Sequence, residues 1–274
     1  MKTLYVSDLD GTLLRSDETL SDFTVDTVNS LIKQGMLFSC ATARSLTTAG
    51  KVTTELDLKL PAALYNGVFV ADIKTGEVLA SNHFGADVKK LISDMCESGL
   101  CPLVYSFINK EERFSYVQSR ATRGLNAFLA KRKGDKRARP VDLETELYRG
   151  DIFYAVCIDE KDRLAPFYEK YKDKYRCIFY KEQYTGEQWL EIMPAQATKA
   201  NAVLWLKEYL QCDKLVVFGD GVNDTDMFAA ADECYAPENA DEALKSLADG
   251  IIEANDCDGV ARFLAQKWNL ESIV

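Results

Sequence analysis

The chain has 274 residues, and its 33 Lys and Arg stand against 43 Asp and Glu, a formal charge of −10. So acidic a protein lacks the basic surface that nucleic-acid binding needs to displace phosphate counterions, and no nucleic-acid partner is expected. Hydrophobic residues at 47% and charged residues at 28% exclude wholesale disorder, and the length fits one large domain or two medium ones.

Residues 3–7 form a short β-prone apolar run that stops at Asp8-Leu9-Asp10-Gly11, so the pattern predicts a buried strand with acids at its carboxyl end. A helix follows over about Ser21–Gln34, with Ser21 as N-cap, Val25, Val28, Leu31 and Ile32 on one face, and Gly35 as the stop. A second strand at Met36–Ala41 ends at Thr42. Strand, helix and strand on short links make a right-handed βαβ unit with parallel strands, whose site lies outside the strand carboxyl ends. Asp8, Asp10 and Thr42 are thereby expected together.

A helix at about Ser45–Leu56 and an apolar segment at Ala62–Tyr65 precede two runs flanking Lys74-Thr75-Gly76, which read as an antiparallel hairpin. From about residue 83 to 187, strands at 102–108, 113–118, 151–159 and 175–180 alternate with helices at 86–98, 120–133 and 161–172. This stretch is expected to be a separate α+β insert. The βα rhythm is expected to resume with Trp189–Met193 as a strand, 199–210 as a helix and Lys214–Phe218 as a strand ending at Gly219-Asp220.

His83 is the sole histidine, which excludes a His-rich metal cluster and leaves acid–base work mainly to carboxylates, Lys or Tyr. Its place near the expected insert boundary predicts a packing residue rather than a catalyst. The eight cysteines show no CxxC spacing and read as buried free thiols. Acids at positions 8 and 10 interrupt any signal-like segment, and no run of about 18 residues is free of charge. A cytoplasmic protein without a membrane partner is expected, as a monomer or weak homo-oligomer.

Asp8 and Asp10, two apart on an extended segment, are expected to project to one side, where close carboxylates share a proton or bind a cation. Gly219-Asp-Gly-Val-Asn-Asp-Thr-Asp226 brings Asp220, Asn223, Asp224 and Asp226 to a second strand end. Helix capping accounts for part of such a cluster, but not for two acidic strand ends in one sheet. Lys199 opens a helix after Thr198. A cation gains nothing from the dipole there, so it is poised for an anion. The run Lys131–Arg139 is the one dense basic patch; it reads as a solvated helix end and loop, with steering of anionic substrates as the alternative. Phe107, Tyr116, Trp189 and Tyr235 read as core aromatics rather than pocket walls.

In order and spacing, Asp8-Leu-Asp-Gly-Thr-Leu13, Thr42, Lys199 and Gly219-Asp-Gly-Val-Asn-Asp224 resemble the four motifs of the haloacid dehalogenase-like (HAD) phosphohydrolases. The likeness is to the Cof-type branch with a type IIB cap and spans the whole chain. Asn66-Gly67 and Asp258-Gly259-Val260-Ala261 also match. The resemblance implies an α/β fold, a Rossmann-like parallel-sheet core at 1–82 and 188–274 with an inserted α+β cap domain at 83–187 that closes over the site.

The same resemblance implies a phosphatase of small-molecule phosphate monoesters, such as sugar phosphates or phosphorylated cofactors. Asp8 would attack phosphorus to form an aspartyl-phosphate, and Asp10 would protonate the leaving alcohol and then activate water. A carboxylate about 4 Å from a phosphate charge costs roughly 4 kcal/mol at an effective dielectric near 20, so a cation is needed. Mg²⁺ is implied, on Asp8, the Asp10 carbonyl and Asp220, with Asp224 adjacent. Thr42, Lys199, Asn223 and the amides of Leu9 and Ala43 would hold the phosphate oxygens, with Arg44 orienting the loop. The chain departs from the family pattern at Ala43, Ala200 and Ala236-Pro-Glu-Asn239, none of which deletes a catalytic group. Alternatives are a phosphomutase, which retention of the phosphoryl group on a second substrate would separate, a receiver-like signalling module, against which the long insert and Asp10 argue, and a catalytically silent phospho-metabolite binder, against which the intact Asp8 and Asp10 argue.

Overall fold

The computed structural model describes residues 1–181 and 186–271, so residues 182–185 of the expected insert and 272–274 of the expected core lie outside it. The chain divides into two compact units, Met1–Ser81 with Ala197–Val274, and Asn82–Gln196.

The first unit opens with β1 (Thr3–Ser7), α1 (Asp22–Lys33), β2 (Leu37–Cys40) and α2 (Leu46–Val52). Ser21 caps α1 by accepting from the Thr24 amide at 2.9 Å, and Gly35 follows the helix at φ +103°, where a Cβ would be strained. Three short strands come next: β3 (Ala62–Leu64), β4 (Phe69–Ala71) and β5 (Val78–Ser81), an antiparallel sheet in that order. The expected hairpin is β4–β5, its turn closed by Asp72, whose carboxylate accepts from the Lys74 and Thr75 amides.

The second unit runs α3 (Val88–Glu97), β6 (Leu103–Ile108), β7 (Glu111–Val117), α4 (Arg123–Ala130), β8 (Ala138–Val141), β9 (Asp151–Asp159), α5 (Lys161–Tyr171), β10 (Arg176–Lys181) and β11 (Gln188–Met193). Its six strands lie in the order β10-β11-β9-β6-β7-β8, antiparallel except for the edge pair β7–β8. Cys157 meets Met95 of α3, and Phe179, on the same face, stacks on Tyr168 of α5. Ile158 points to the other face, against Gly124 of α4.

The chain then returns to the first unit with α6 (Lys199–Tyr209), β12 (Lys214–Phe218), α7 (Thr225–Ala230), β13 (Glu233–Pro237), α8 (Glu242–Lys245), β14 (Gly250–Ile252) and α9 (Gly259–Glu271). The parallel sheet has the order β14-β13-β12-β1-β2. β1 is central, and its Leu4, Tyr5 and Val6 are buried on both faces, as are Leu215–Phe218 of β12, which is why both strands read as continuous apolar runs. From β1 the chain builds outward to β2 on one side and, later, from β12 to β14 on the other. β1 therefore flanks the switch point where open α/β sheets place their sites.

Four expectations change. The strand at 188–193, assigned from sequence to the parallel core, pairs antiparallel with β9 and β10, so the insert extends to Gln196. Its apolar residues point to both faces, so only long-range pairing could assign it to a sheet. His83 is exposed rather than packed. The basic run is internally paired in part: Arg137 is buried between Asp135 and Glu112, Arg139 pairs with Glu146, and Ala138–Val141 forms an unforeseen strand, its partner β7 being distant in sequence. Six cysteines are buried, but Cys177 is half-buried and Cys257 exposed; all eight are free.

Gly67 marks a close approach near the strand ends. It has φ +93°, and a Cβ there would lie 2.1 Å from the Thr198 carbonyl oxygen, whereas Gly35 at φ +103° has open space. Gly67→Ala is expected to lower unfolding free energy by about 3 kcal/mol or more, and Gly35→Ala by only about 1–2 kcal/mol, measured by denaturant titration.

Candidate active site

The chain leaves β1 at Ser7, and the Asp8 amide still donates to the Phe218 carbonyl at 2.9 Å, carrying the pairing with β12 one residue further. A tight turn over Leu9–Leu13 follows, with Gly11 at φ +73°. A Cβ at Gly11 would lie 2.3 Å from the Asp220 Oδ2, so only glycine allows this turn and the end of β12 to approach so closely.

The Asp8 carboxylate points inward and is buried. Lys199, in the first turn of α6, reaches it with its Nζ 2.8 Å from Oδ1, and the same Nζ is 2.7 Å from the Asp224 Oδ1. The lysine and Asp224 side chains are wholly buried. The second Asp224 oxygen accepts from the amides of Asp220 and Gly221, both at 3.1 Å. Thr12 donates to the Asp220 Oδ1 at 2.8 Å. Carboxylate oxygens of Asp8, Asp220 and Asp224 lie within 4.8 Å of one another, a hard all-oxygen donor set suited to a divalent cation such as Mg²⁺.

Three carboxylates around one ammonium leave an excess of negative charge, and the proton affinities reflect it. Burial, and then the charges of Asp224, Asp220 and Asp10, push Asp8 well above the ordinary carboxylate range, with Lys199 opposing. Asp220 rises to about 6, from burial first and the Asp224 charge second. Lys199 loses by burial but is held protonated by Asp224 and Asp8, so its affinity rises overall. Beneath the cluster, burial and then the Asp8 charge push the Cys40 thiol up to about 12, so it stays neutral.

Thr42 lies at the end of β2 on the other side of β1. Its amide donates to Ala63 and its Oγ1 accepts from the Arg44 amide at 3.1 Å, which leaves its hydroxyl hydrogen free to donate outward. Ala43 beside it is exposed, and Leu9 is buried beneath the turn. Asn223 donates to Asn66 Oδ1 at 3.2 Å, and Asn66 holds the left-handed conformation at φ +53°. The Asn66-Gly67 pair thus carries one asparagine toward the β12 loop while Gly67 admits the Thr198 carbonyl.

Asp10 lies outside the Asp8–Asp220–Asp224 cluster, although its charge still acts on Asp8 and Asp220. The backbone leaves β geometry after Asp8, so two-residue alternation no longer holds. The Asp10 carboxylate is half exposed and is gripped by Arg44, whose Nε lies 3.1 and 2.8 Å from its two oxygens and whose Nη2 lies 2.5 Å from Oδ1. The same Nη2 donates to Glu18 at 2.7 Å. Sequence reasoning gave Arg44 the loop but missed this grip.

It also missed the supports of the turn. Asn239 donates to the Gly11 carbonyl at 2.7 Å, Asn255 donates to the Leu14 carbonyl at 3.0 Å, and the Asp241 amide donates to the Asp220 carbonyl. Asp258 accepts from Arg15, Ser21 and Thr24, tying the start of α9 to the start of α1. The signal for Asn239 was its place in Ala236-Pro-Glu-Asn239, where the sequence departs from the family pattern but keeps the asparagine.

A family model described as haloacid dehalogenase-like hydrolase matches residues 5–264. The chain therefore belongs to the haloacid dehalogenase-like hydrolases, in the Cof-type branch, and is an enzyme of the phosphatase class. It is 26% identical to the 5-amino-6-(5-phospho-D-ribitylamino)uracil phosphatase YitU of Bacillus subtilis, over 97% of this chain and 98% of that one. Among solved structures it is similar to TM0651 from Thermotoga maritima, at 23% identity and TM-score 0.80 over 97% of each chain. It is also similar to the HAD subclass IIB sugar phosphatase BT4131, at 16% identity and TM-score 0.76 over 97% of this chain and 98% of that one. No helix among the described residues is long and apolar enough to cross a membrane.

The buried charges give two expected outcomes. Lys199→Met strands Asp8 and Asp224 without their cation and should lower metal-free stability by about 3–5 kcal/mol in denaturant titrations. Folded Asp220 keeps its proton up to about 6, whereas the unfolded chain releases it near 3.8. The folded state therefore binds more protons in that window, and metal-free stability should fall as pH rises from about 4 to 6. Asp220→Asn should flatten that fall in thermal melts.

Proposed function

We propose that the protein is a Mg²⁺-dependent phosphatase that hydrolyses small phosphate monoesters through an aspartyl-phosphate on Asp8. The observation that carries this reading is the buried Asp8 carboxylate at the end of the central strand, fixed by Lys199 and joined by Asp220 and Asp224 from the neighbouring strand end. Mg²⁺ would be held by Asp8, Asp220 and the Asp10 carbonyl, with Asp224 adjacent; when bound it offsets the negative charge that would otherwise repel a phosphate dianion.

The protein's own groups do the rest. In the first step the Asp8 carboxylate attacks phosphorus, the ester P–O bond breaks, and protonated Asp10 gives its proton to the leaving alcohol. In the second step Asp10, now a carboxylate, takes a proton from water as the water oxygen attacks phosphorus. The Asp8–phosphorus bond then breaks and inorganic phosphate leaves. Lys199 keeps Asp8 oriented with two of its three N–H groups engaged by Asp8 and Asp224, so the third is available to a phosphoryl oxygen. Thr42 donates through its hydroxyl, Asn223 through its amide, and Leu9 and Ala43 through their backbone N–H groups.

The insert at 82–196 is assigned the selection of the organic group. Two of the relatives, by their names, act on a phosphorylated ribityl chain and on sugar phosphates. A terminal phosphate on a polyhydroxylated carbon chain is the chemistry they share, and it is the substrate class proposed here.

The test is phosphate release from a panel of sugar, polyol and nucleotide monophosphates, with Mg²⁺ and with EDTA, for wild type and Asp8→Asn. Release is expected to require both the metal and Asp8, with polyol and sugar phosphates foremost, and Asp8→Asn should remain folded. Transfer of the phosphoryl group to a second sugar instead of water would identify a mutase, and a folded, Mg²⁺-binding protein that releases nothing would sink the enzymatic reading.

A further inference from the structure

We propose that Arg44 is the positioning residue for Asp10: it holds the carboxylate in the one rotamer from which it can exchange a proton with the leaving oxygen and then with water. This inference deepens the function proposed above and rests on Asp10 being the acid and base of that reaction.

Three observations carry it. Asp10 is half exposed, and among the described residues its carboxylate is held by Arg44 alone, through Nε to both oxygens and Nη2 to one. An exposed aspartate with no such partner samples several rotamers, and a misplacement of about 1 Å at a reacting group can cost on the order of 10²-fold in rate. Second, Arg44 is itself fixed. Its side chain is largely buried, its Nη2 is shared with Glu18, its amide donates to the Thr42 Oγ1, and its carbonyl accepts from the Tyr65 amide. A side chain anchored at both ends makes a rigid fork, and the planar guanidinium fixes the plane of the carboxylate it grips in a way that an ammonium does not.

Third, the anchoring connects the two loops that meet at β1. Arg44 follows Thr42 at the end of β2, while Asp10 and Glu18 belong to the segment after β1. Glu18 sits at φ +64° in a short turn closed by the Arg15 and Thr19 backbones, so its carboxylate is presented from a constrained backbone rather than a free loop. The acid–base group, its holder and a phosphate-binding hydroxyl are thus one mechanical assembly. Direct binding of a phosphate oxygen by Arg44 would have to use Nη1, because Nε and Nη2 are engaged on Asp10 and Glu18.

The distinguishing signature is the leaving group. A general acid matters when the departing oxygen is a poor leaving group and hardly matters for an activated aryl oxide, which departs without a proton. Steady-state kinetics of wild type, Arg44→Ala, Arg44→Lys, Asp10→Asn and Arg44→Ala/Asp10→Asn would use an alkyl polyol phosphate and para-nitrophenyl phosphate, with inorganic phosphate as competitive inhibitor and thermal melts to confirm folding.

For Arg44→Ala, kcat/KM, which reports the first phosphoryl transfer, is expected to fall about 10–100-fold on the alkyl ester and by less than about 3-fold on the aryl ester. The inhibition constant of phosphate should be little changed. Arg44→Lys should lie between, and Arg44→Ala should add nothing in the Asp10→Asn background. Equal losses of kcat/KM on both esters, a rise in KM matched by weaker phosphate inhibition, or faster turnover of the alkyl ester would each overturn the assignment while leaving the phosphatase reading in place. A wild-type protein that releases phosphate from neither ester would remove both.

Discussion

A single buried ammonium organises this protein. Lys199 lies between Asp8 and Asp224 with no side-chain exposure, so three charged groups sit where burial alone would forbid any of them. Such a charge group is tolerated only when its hydrogen bonds are met, and here the two amides at Asp220 and Gly221 satisfy the far oxygen of Asp224. The elements that deliver these groups, β1, α6 and the loop after β12, must then meet with little freedom. The close approaches at Gly11 and Gly67 are where that requirement becomes visible in the backbone.

The charge imbalance that remains is the functional part of the design. One ammonium cannot neutralise Asp8, Asp220 and Asp224, and burial first, then the neighbouring carboxylate charges, raises the proton affinities of Asp8 and Asp220. Stability alone gives no reason for such a cluster, and it fits the divalent cation proposed for the site. Asp10, half exposed, is held by Arg44, which keeps the group proposed to move protons distinct from the group proposed to bond to phosphorus.

The two units are organised by different rules. The parallel sheet of the first places its chemistry at strand ends and buries both faces, whereas the second is an antiparallel sheet with α3 and α5 on one face and α4 on the other. Its buried Arg137 is held between Asp135 and Glu112 of the same unit.

Most of the element order and the residues of the acidic cluster were legible in the sequence, because apolar runs, caps and turn glycines are local signals. Ser21, Gly35 and the Lys214–Phe218 strand lie where patterning places them. Three things were decided only by tertiary structure. The strand at 188–193 belongs to the insert because pairing partners, not its own pattern, choose its sheet. Asp10 parts from Asp8 because a tight turn breaks the alternation that extended geometry would impose. Arg44 finds Asp10 and Glu18, and Asn239 finds Gly11, across 34, 26 and 228 residues of chain, because strand adjacency in the folded sheet sets those distances and no local spacing encodes them.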